Sequence, residues 1–419
     1  LVRDRGRVAE PMINRVAYLS MHTSPLLQPG LGDAGGMNVY LDQLARTMAA
    51  RGVAVEVFTR FQDPTDPPVV DVIDGYRVMH VAAGPMQPLP ISALPRFVRD
   101  FAGAVIEQLR PDPPQILHSH YWLSGWAGLL VKRALSIPLA NSFHTLGRVK
   151  NDNLRIDDTP ESLLRIAAEH EVIAESDCVM ASTPAEAAEL LDFYGADPNR
   201  LCTSPPGVDH RLFRPGSQRG ARRRMGLGTG PVLAFVGRIQ PLKGVDVAIA
   251  TLALVRETHP NTMLLVVGGP SGPQGESEMS RLRRQVADLG VGGRVKFVGP
   301  LPHGLLPDLY RAADVVLVPS RAESFGLVAA EAQACGVPVV ASRAGGLVYV
   351  VDDGVGGFLI DGENPELYAK RVGELLDDRD LAAKMGRAAT DWAKRFSWEG
   401  TVRRYLELYR DVLPREKKP

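Results

Sequence analysis

The sequence predicts an α/β protein made of two doubly wound parallel sheets that face a central cleft. Short apolar runs alternate with helical periodicity along most of the 419 residues. The runs are continuous Val, Leu, Ile and Ala, as strands covered by helices on both faces require. The alternation pauses once, at a Pro/Gly-rich stretch covering Pro205-Pro206-Gly207-Val208-Asp209 and Arg214-Pro215-Gly216, and then restarts. Two Rossmann-like halves of about 200 residues each follow from that pause.

In chain order, residues 1–14 are a polar N-terminal segment with no apolar stretch of signal-peptide type. Residues 15–208 are the first domain. Its predicted strands are Val16 to Ser20, Val53 to Thr59, Gln115 to Ser119, Ile137 to Phe143 and Cys178 to Ser182. Helices Asn38 to Ala50 and Trp122 to Ala134 cover them. Residues 209–397 are the second domain, with strands Val232 to Val236, Met263 to Val267, Val295 to Val298, Val315 to Val318 and Val337 to Ala341. Residues 398–419 hold a helix with apolar Val402, Tyr405, Leu406 and Leu408, which either closes the second domain or crosses back to the first.

Composition narrows the function. Lys+Arg and Asp+Glu are both 48, so the formal net charge is zero, which argues against a nucleic-acid binder. No run approaches the ~20 apolar residues of a membrane span. Cys178, Cys202 and Cys335 form no C-x-x-C pair, which predicts buried thiols in a reducing cytoplasm and no zinc site. The chain opens on Leu1, as from an unusual start codon or a trimmed product.

Doubly wound sheets bind ligands at the carboxyl ends of their strands. Gly32-Asp33-Ala34-Gly35-Gly36-Met37-Asn38 follows the first strand and opens the first helix. Its glycines let backbone approach a ligand, and a helix N-terminus favours an anion such as a diphosphate. The alternative is a tight turn that needs glycines for geometry alone. Neither G-x-G-x-x-G nor a P-loop is present. Phe235 to Gly244 ends a buried strand and then offers Arg238 and Lys243, suited to phosphate. A solvated basic pair is the competing reading. Glu323-Ser324-Phe325-Gly326 leads into a helix carrying Glu331. A carboxylate can accept two hydroxyls of a ribose diol, and the helix mouth between the two acids can hold phosphate. A glycosidase-like pair would flank its bond from opposite faces, which one loop and helix cannot easily do. His22, His118, His120, Tyr121 and His144-Thr145 recur at strand ends of the first half, with Arg148 and Arg165 nearby. A single such His is more often structural; the group together points to a site.

On these residues the chain resembles the retaining GT-B glycosyltransferases of family 4, and most narrowly those that open mycothiol biosynthesis in actinobacteria. The resemblance spans Arg15 to Trp398. It rests on His22-Thr23-Ser24-Pro25, Gln28-Pro29-Gly30, Gly32 to Tyr40, His118 to Gly125, His144-Thr145, Val149-Lys150-Asn151, Thr159-Pro160-Glu161-Ser162, Gly237 to Lys243, Gly268 to Gly272 and Glu323 to Cys335. It implies a UDP-sugar donor, UDP-N-acetylglucosamine, and the acceptor 1D-myo-inositol 3-phosphate. Arg238 and Lys243 would hold the diphosphate, Glu331 the ribose and Glu323 the sugar hydroxyls, with Phe325 and Gly326 beside them. Gln28, Pro29 and Gly36 would line the donor site, and His144 would lie at the transferred sugar. His22, Asp33, Ala34, Gly35, Gly36, Met37, Asn38, Tyr121, Thr145 and Arg165 would cradle the acceptor, its phosphate meeting Tyr121, Thr145 and Arg165. The resemblance also implies a structural Mg²⁺ on the carbonyls of Tyr310, Arg311, Ala313 and Val337, no cofactor for the chemistry, and a possible homodimer.

The implied reaction retains anomeric configuration. A donor phosphate oxygen takes the acceptor proton, and the cleft closes on a hinge near Pro205 to Pro215. Two departures bear on the acceptor. Across Gly84 to Pro95, Ile91 stands where the family pattern has a Lys that meets the acceptor phosphate, and Gly147-Arg148 replaces two small residues. Losing one such contact costs ~1.5–3 kcal/mol. Arg148 could supply the missing cation, or the acceptor could be another cyclitol, aminocyclitol or sugar. An epimerase that uses a nucleotide sugar without an acceptor and a non-enzymatic nucleotide-sugar sensor are the rival classes.

Overall fold

The computed structural model describes residues 12–30, 32, 34–154, 159–272 and 274–413. Eight strands form the first sheet: β1 (Arg15–Leu19), β2 (Ala54–Arg60), β3 (Val69–Ile73), β4 (Tyr76–Val81), β5 (Ile116–His120), β6 (Leu139–Ser142), β7 (Cys178–Ala181) and β8 (Leu201–Thr203). Their order is β3-β4-β2-β1-β5-β6-β7-β8. All neighbours run parallel except the β3–β4 hairpin. Six strands form the second sheet: β9 (Val232–Val236), β10 (Met263–Val267), β11 (Val295–Gly299), β12 (Val315–Val318), β13 (Val339–Ser342) and β14 (Gly357–Ile360). It is fully parallel in the order β11-β10-β9-β12-β13-β14.

The apolar runs are buried as their lack of alternation demands: every residue of β5, β6, β7, β12, β13 and β14 is buried. The β3–β4 hairpin is an addition to the predicted strands. β3 alternates exposed and half-buried residues at the sheet edge, so its hydrophobic signal is weak. The last helix, Trp398–Val412, packs on Gly36–Ala49 of the first domain, burying Trp398, Val402, Tyr405, Leu408 and Tyr409 in that domain's core. The chain therefore crosses between domains twice, and the two crossings touch: Val208 pairs with Ser397, and Thr401 Oγ1 donates to the Pro205 carbonyl at 2.7 Å.

Each sheet reverses its order at one strand. In the first, β1 lies between β2 and β5; in the second, β9 lies between β10 and β12. The crevice beyond the carboxyl end of such a strand is where a doubly wound sheet binds ligands, and here the two crevices face each other.

Candidate functional site

On the C-terminal side, β9 runs into Gly237-Arg238 and a short turn, Pro241–Lys243, followed by Gly244. Gly244 has φ +69°, and a Cβ there would lie 2.0 Å from the Pro319 carbonyl oxygen. Only glycine lets this cation-bearing loop rest on the loop after β12. Lys243 Nζ then meets Glu323 Oε2 at 2.6 Å. Glu331, on helix Leu327–Ala334, is buried and accepts from Tyr310 Oη at 3.0 Å and pairs with His303 Nε2 at 2.7 Å. Burial opposes the charge on His303, but Glu331 outweighs it and raises its pKa above the ordinary value.

On the N-terminal side, Tyr121 and His144 follow β5 and β6 with φ of +78° and +60°. Among the described residues only Ser136 shares that left-handed region without being glycine. Such conformations cost about 1–3 kcal/mol each and gather at functional sites. Arg165, 1% exposed, makes four hydrogen bonds here. Its Nε meets Glu169 at 2.7 Å, Nη1 meets the Tyr121 hydroxyl at 3.1 Å, and Nη2 meets the Thr145 carbonyl at 2.9 Å and hydroxyl at 3.1 Å. Glu169 is itself fixed by the Gly147 backbone N–H and the Tyr194 hydroxyl. Burial opposes the charge on Arg165, yet Tyr121, Glu169 and Glu161 together raise its pKa.

Behind His144 stands a ladder of imidazoles. His120 Nδ1 and His144 Nε2 are 3.0 Å apart, His120 stacks on His118 with centroids 4.3 Å apart, and His118 Nδ1 meets the Tyr409 hydroxyl at 2.6 Å. Burial drives the pKa of His118 and His144 down to about 3. His22 also falls to about 3, first through burial and then through His144, Arg238 and Arg165. These rings are neutral at pH 7 and serve as hydrogen-bonding groups. The last helix thus props the site from behind.

The two rims touch. A Cβ on Gly35 would lie 3.2 Å from Arg238 Nε, and one on Gly36 would lie 3.6 Å from Leu327. Ser324 Oγ donates to the His144 carbonyl at 2.6 Å, and Thr183 Oγ1 donates to the Ser324 carbonyl at 3.3 Å. The structure thus gathers His22, Gly35, Gly36, Tyr121, His144, Thr145 and Arg165 opposite Arg238, Lys243 and Glu323. His22 packs on Tyr121 with centroids 4.5 Å apart, and its buried Nδ1 has no partner among the described residues.

Other expected residues take different positions. Gln28 and Pro29 are half-buried in the loop before Gly35, and Met37 is half-buried on the first helix. Asp33 lies outside the described residues. Ala34 is buried, and the Asn38 amide is spent on its own loop, bonding Thr23, Ser24 and Gly35. Phe325 is a core residue packed edge-on against Phe396, and Gly326 caps the Glu331 helix. Ile91 packs on the core of the first domain. Arg148 does not replace the missing cation: its guanidinium lies over Tyr194 and donates to the Phe193 carbonyl at 2.5 Å. Cys202 is half-exposed, whereas Cys178 and Cys335 are buried. At the expected Mg²⁺ position, the Tyr310 carbonyl accepts from Ala313 N–H and the Ala313 carbonyl accepts from Gln218. Among the described residues, no cluster of three or more His, Cys, Asp or Glu could hold a metal ion, and no helix is long and apolar enough to cross a membrane.

Sequence reasoning did not assign roles to Lys150, Glu161, Glu169, His303 or Ser324. Lys150, Glu161 and Ser324 stand in stretches that carried the family resemblance; Glu169 and His303 had no spacing signal to mark them.

Comparison with known proteins agrees with this architecture. Residues 35–207 match the glycosyl transferase 4-like domain model and residues 220–392 match the glycosyl transferases group 1 model. A D-inositol 3-phosphate glycosyltransferase of Acidothermus cellulolyticus is 47% identical over 95% of this chain and 90% of its own. D-inositol 3-phosphate glycosyltransferase 2 of Catenulispora acidiphila is 47% identical over 96% and 95%. Among solved structures, sucrose-phosphate synthase from Thermosynechococcus elongatus is 32% identical with a TM-score of 0.89, over 95% of this chain and 99% of that one. Anabaena Alr3699/HepE, solved with UDP and glucose, shares the fold at 20% identity and a TM-score of 0.76, over 94% and 98%. The chain is a GT-B glycosyltransferase that belongs to the family of the D-inositol 3-phosphate glycosyltransferases.

Proposed function

We propose that this enzyme transfers N-acetylglucosamine, with retention, from UDP-N-acetylglucosamine to 1D-myo-inositol 3-phosphate, the opening step of mycothiol biosynthesis in the cytoplasm. The observation that supports this most is the apposition of Arg238, Lys243 and Glu323 with His144, Thr145 and Arg165 across touching rims. The relatives' names point to the same acceptor.

In this reading, the diphosphate draws Lys243 away from Glu323 and lies between Lys243 and Arg238. Both cations stabilise charge that develops on the departing UDP. Glu331, pre-aimed by His303 and Tyr310, accepts the ribose diol. Glu323, once released, accepts hydroxyls of the transferred sugar. His144, neutral and held by His120, contacts that sugar. The acceptor's phosphate meets Tyr121, Thr145 and Arg165. A donor phosphate oxygen takes the acceptor proton as the new bond forms on the face that UDP leaves. Closed rims keep out the water that would hydrolyse the donor. A structural Mg²⁺ remains part of the proposal. Backbone carbonyls of Tyr310, Arg311, Ala313 and Val337 would hold it, sharing the second lone pair of those already bonded.

The test is a donor-by-acceptor panel read by UDP release and product mass spectrometry, with the anomeric configuration read by NMR. UDP-N-acetylglucosamine and inositol 3-phosphate should give the highest kcat/KM and an α-linked product. A β-linked product would overturn retention, and donor turnover without any acceptor would favour the epimerase reading. The core packing of Ile91 favours a second reading, an acceptor with fewer anionic contacts. Higher kcat/KM on unphosphorylated cyclitols would select it.

A further inference from the structure

Arg165 has two carboxylate partners, and they differ. Glu169 is fully buried and is locked by the Gly147 backbone and the Tyr194 hydroxyl. It is the permanent counter-charge of a buried guanidinium. Glu161 is half-buried, with its side chain 27% exposed. A single oxygen, Oε1, serves both Lys150 Nζ at 2.6 Å and Arg165 Nη1 at 2.9 Å. The Glu161 backbone is tied separately from its carboxylate, its N–H donating to Asn151 Oδ1 at 2.8 Å, so the side chain can swing while that backbone bond stays in place.

The cluster looks toward the donor cations. Arg238, across the cleft, acts on the charge of both Lys150 and His22. Arg165 also contacts the Tyr121 hydroxyl and Thr145, so an anion arriving there would find four donors converging. One carboxylate oxygen shared between two cations is a poor match for them. A phosphate monoester offers three acceptor oxygens and nearly twice the charge.

We propose that Glu161 is an internal place-holder: in the empty enzyme its carboxylate neutralises Lys150 and Arg165, and the anionic group of the acceptor displaces it, making Lys150 a specificity-determining cation of the acceptor subsite. This rests on the reading of the acceptor as a phosphate monoester. It also accounts for how the subsite keeps two cations although Ile91 stands where a third is expected. Displacement discriminates, because a neutral polyol cannot replace the ion pairs it would break.

The experiment measures KM for inositol 3-phosphate and for myo-inositol, at saturating UDP-N-acetylglucosamine, in full-length wild type, Glu161→Gln and Lys150→Met. Inorganic phosphate is the competitor. Glu161→Gln should lower KM for the phosphorylated acceptor and the phosphate Ki by roughly fivefold, leaving KM for myo-inositol and for the donor unchanged. Lys150→Met should raise the same two constants by roughly tenfold. A Glu161→Gln enzyme with unchanged or raised KM for inositol 3-phosphate overturns the place-holder, as does an equal shift for both acceptors. If wild type uses both acceptors equally and phosphate does not compete, the anionic-acceptor reading itself fails, and the inference with it. Should Glu161→Gln fail to fold, Lys150→Met decides: phosphate competing equally well in that variant sinks the proposal.

Discussion

The two rims of the cleft are built on opposite plans. The N-terminal rim is buried and locked: Arg165 and Glu169 are 1% and 0% exposed, three imidazoles stack behind the site, and two residues are held in left-handed backbone. The C-terminal rim is looser. Its Lys243–Glu323 pair is about a fifth exposed and sits on a glycine-dependent loop. The N-terminal rim is organised mainly by folding, with Glu161 its one part-exposed partner of Arg165, whereas the phosphate-suited cation of the C-terminal rim is itself held in a part-exposed pair.

The sharpest way to break this contrast is stability. Arg165→Met leaves Glu169 buried without its cation, which should cost about 3–5 kcal/mol. Glu323→Gln should cost at most about 1 kcal/mol, because its pair is part-exposed and screened. Urea unfolding of both variants measures this, and equal losses would erase the distinction. Next in size is a catalytic effect. Lys243→Ala should lower kcat by about 10²–10³-fold with little change in Tm. Unchanged UDP release would remove Lys243 from the chemistry.

The two rims should also respond to pH with opposite signs. His22, His118 and His144 titrate in the folded state at about 3, below their unfolded value of 6.5. The unfolded chain binds protons first as the pH falls. Their contribution is therefore whole above pH 6.5 and is lost toward pH 3, by up to about 1.4 kcal/mol per pH unit for each ring. His303 is raised by Glu331, so its contribution is whole below pH 6.5 and is lost as the pH rises through its folded pKa. Urea midpoints from pH 5 to 8 for wild type, His118→Gln and His303→Gln test the signs. His118→Gln should flatten the acid limb and His303→Gln the alkaline limb. The smallest expected effect belongs to Ser324→Ala, which removes one cross-cleft hydrogen bond worth about 0.5–1.5 kcal/mol. KM should rise severalfold with Tm unchanged; an unaltered KM would mean the rims meet without that bond.

Much of this was legible in the residues. Continuous apolar runs announce buried parallel strands, because only a sheet covered on both faces leaves no polar register. The β3–β4 hairpin went unread although Asp74-Gly75 is a strong turn signal, since β3 is half exposed and polar residues interrupt the mostly buried β4. Arg238, Lys243, Glu323 and Glu331 were legible because each closes or follows a buried strand. Pairings were not. Nothing in spacing says that Lys243 meets Glu323, 80 residues on, or that His303 and Tyr310 orient Glu331. Those contacts arise from sheet order, which sequence periodicity does not encode. Asn38, which the family resemblance put at the acceptor, shows another pairing that spacing hides: its amide bonds Thr23, Ser24 and Gly35.

The doubled back-and-forth of the chain has a mechanical result. Because Val208 and Ser397 lie side by side, and a Cβ on Gly207 would lie 2.1 Å from Trp398 N, both covalent tethers between lobes run through one seam. A single strap would permit twisting and sliding in several directions. Two straps fastened at one edge leave a swing about that edge as the easy movement, one that keeps Ser324 in line with His144.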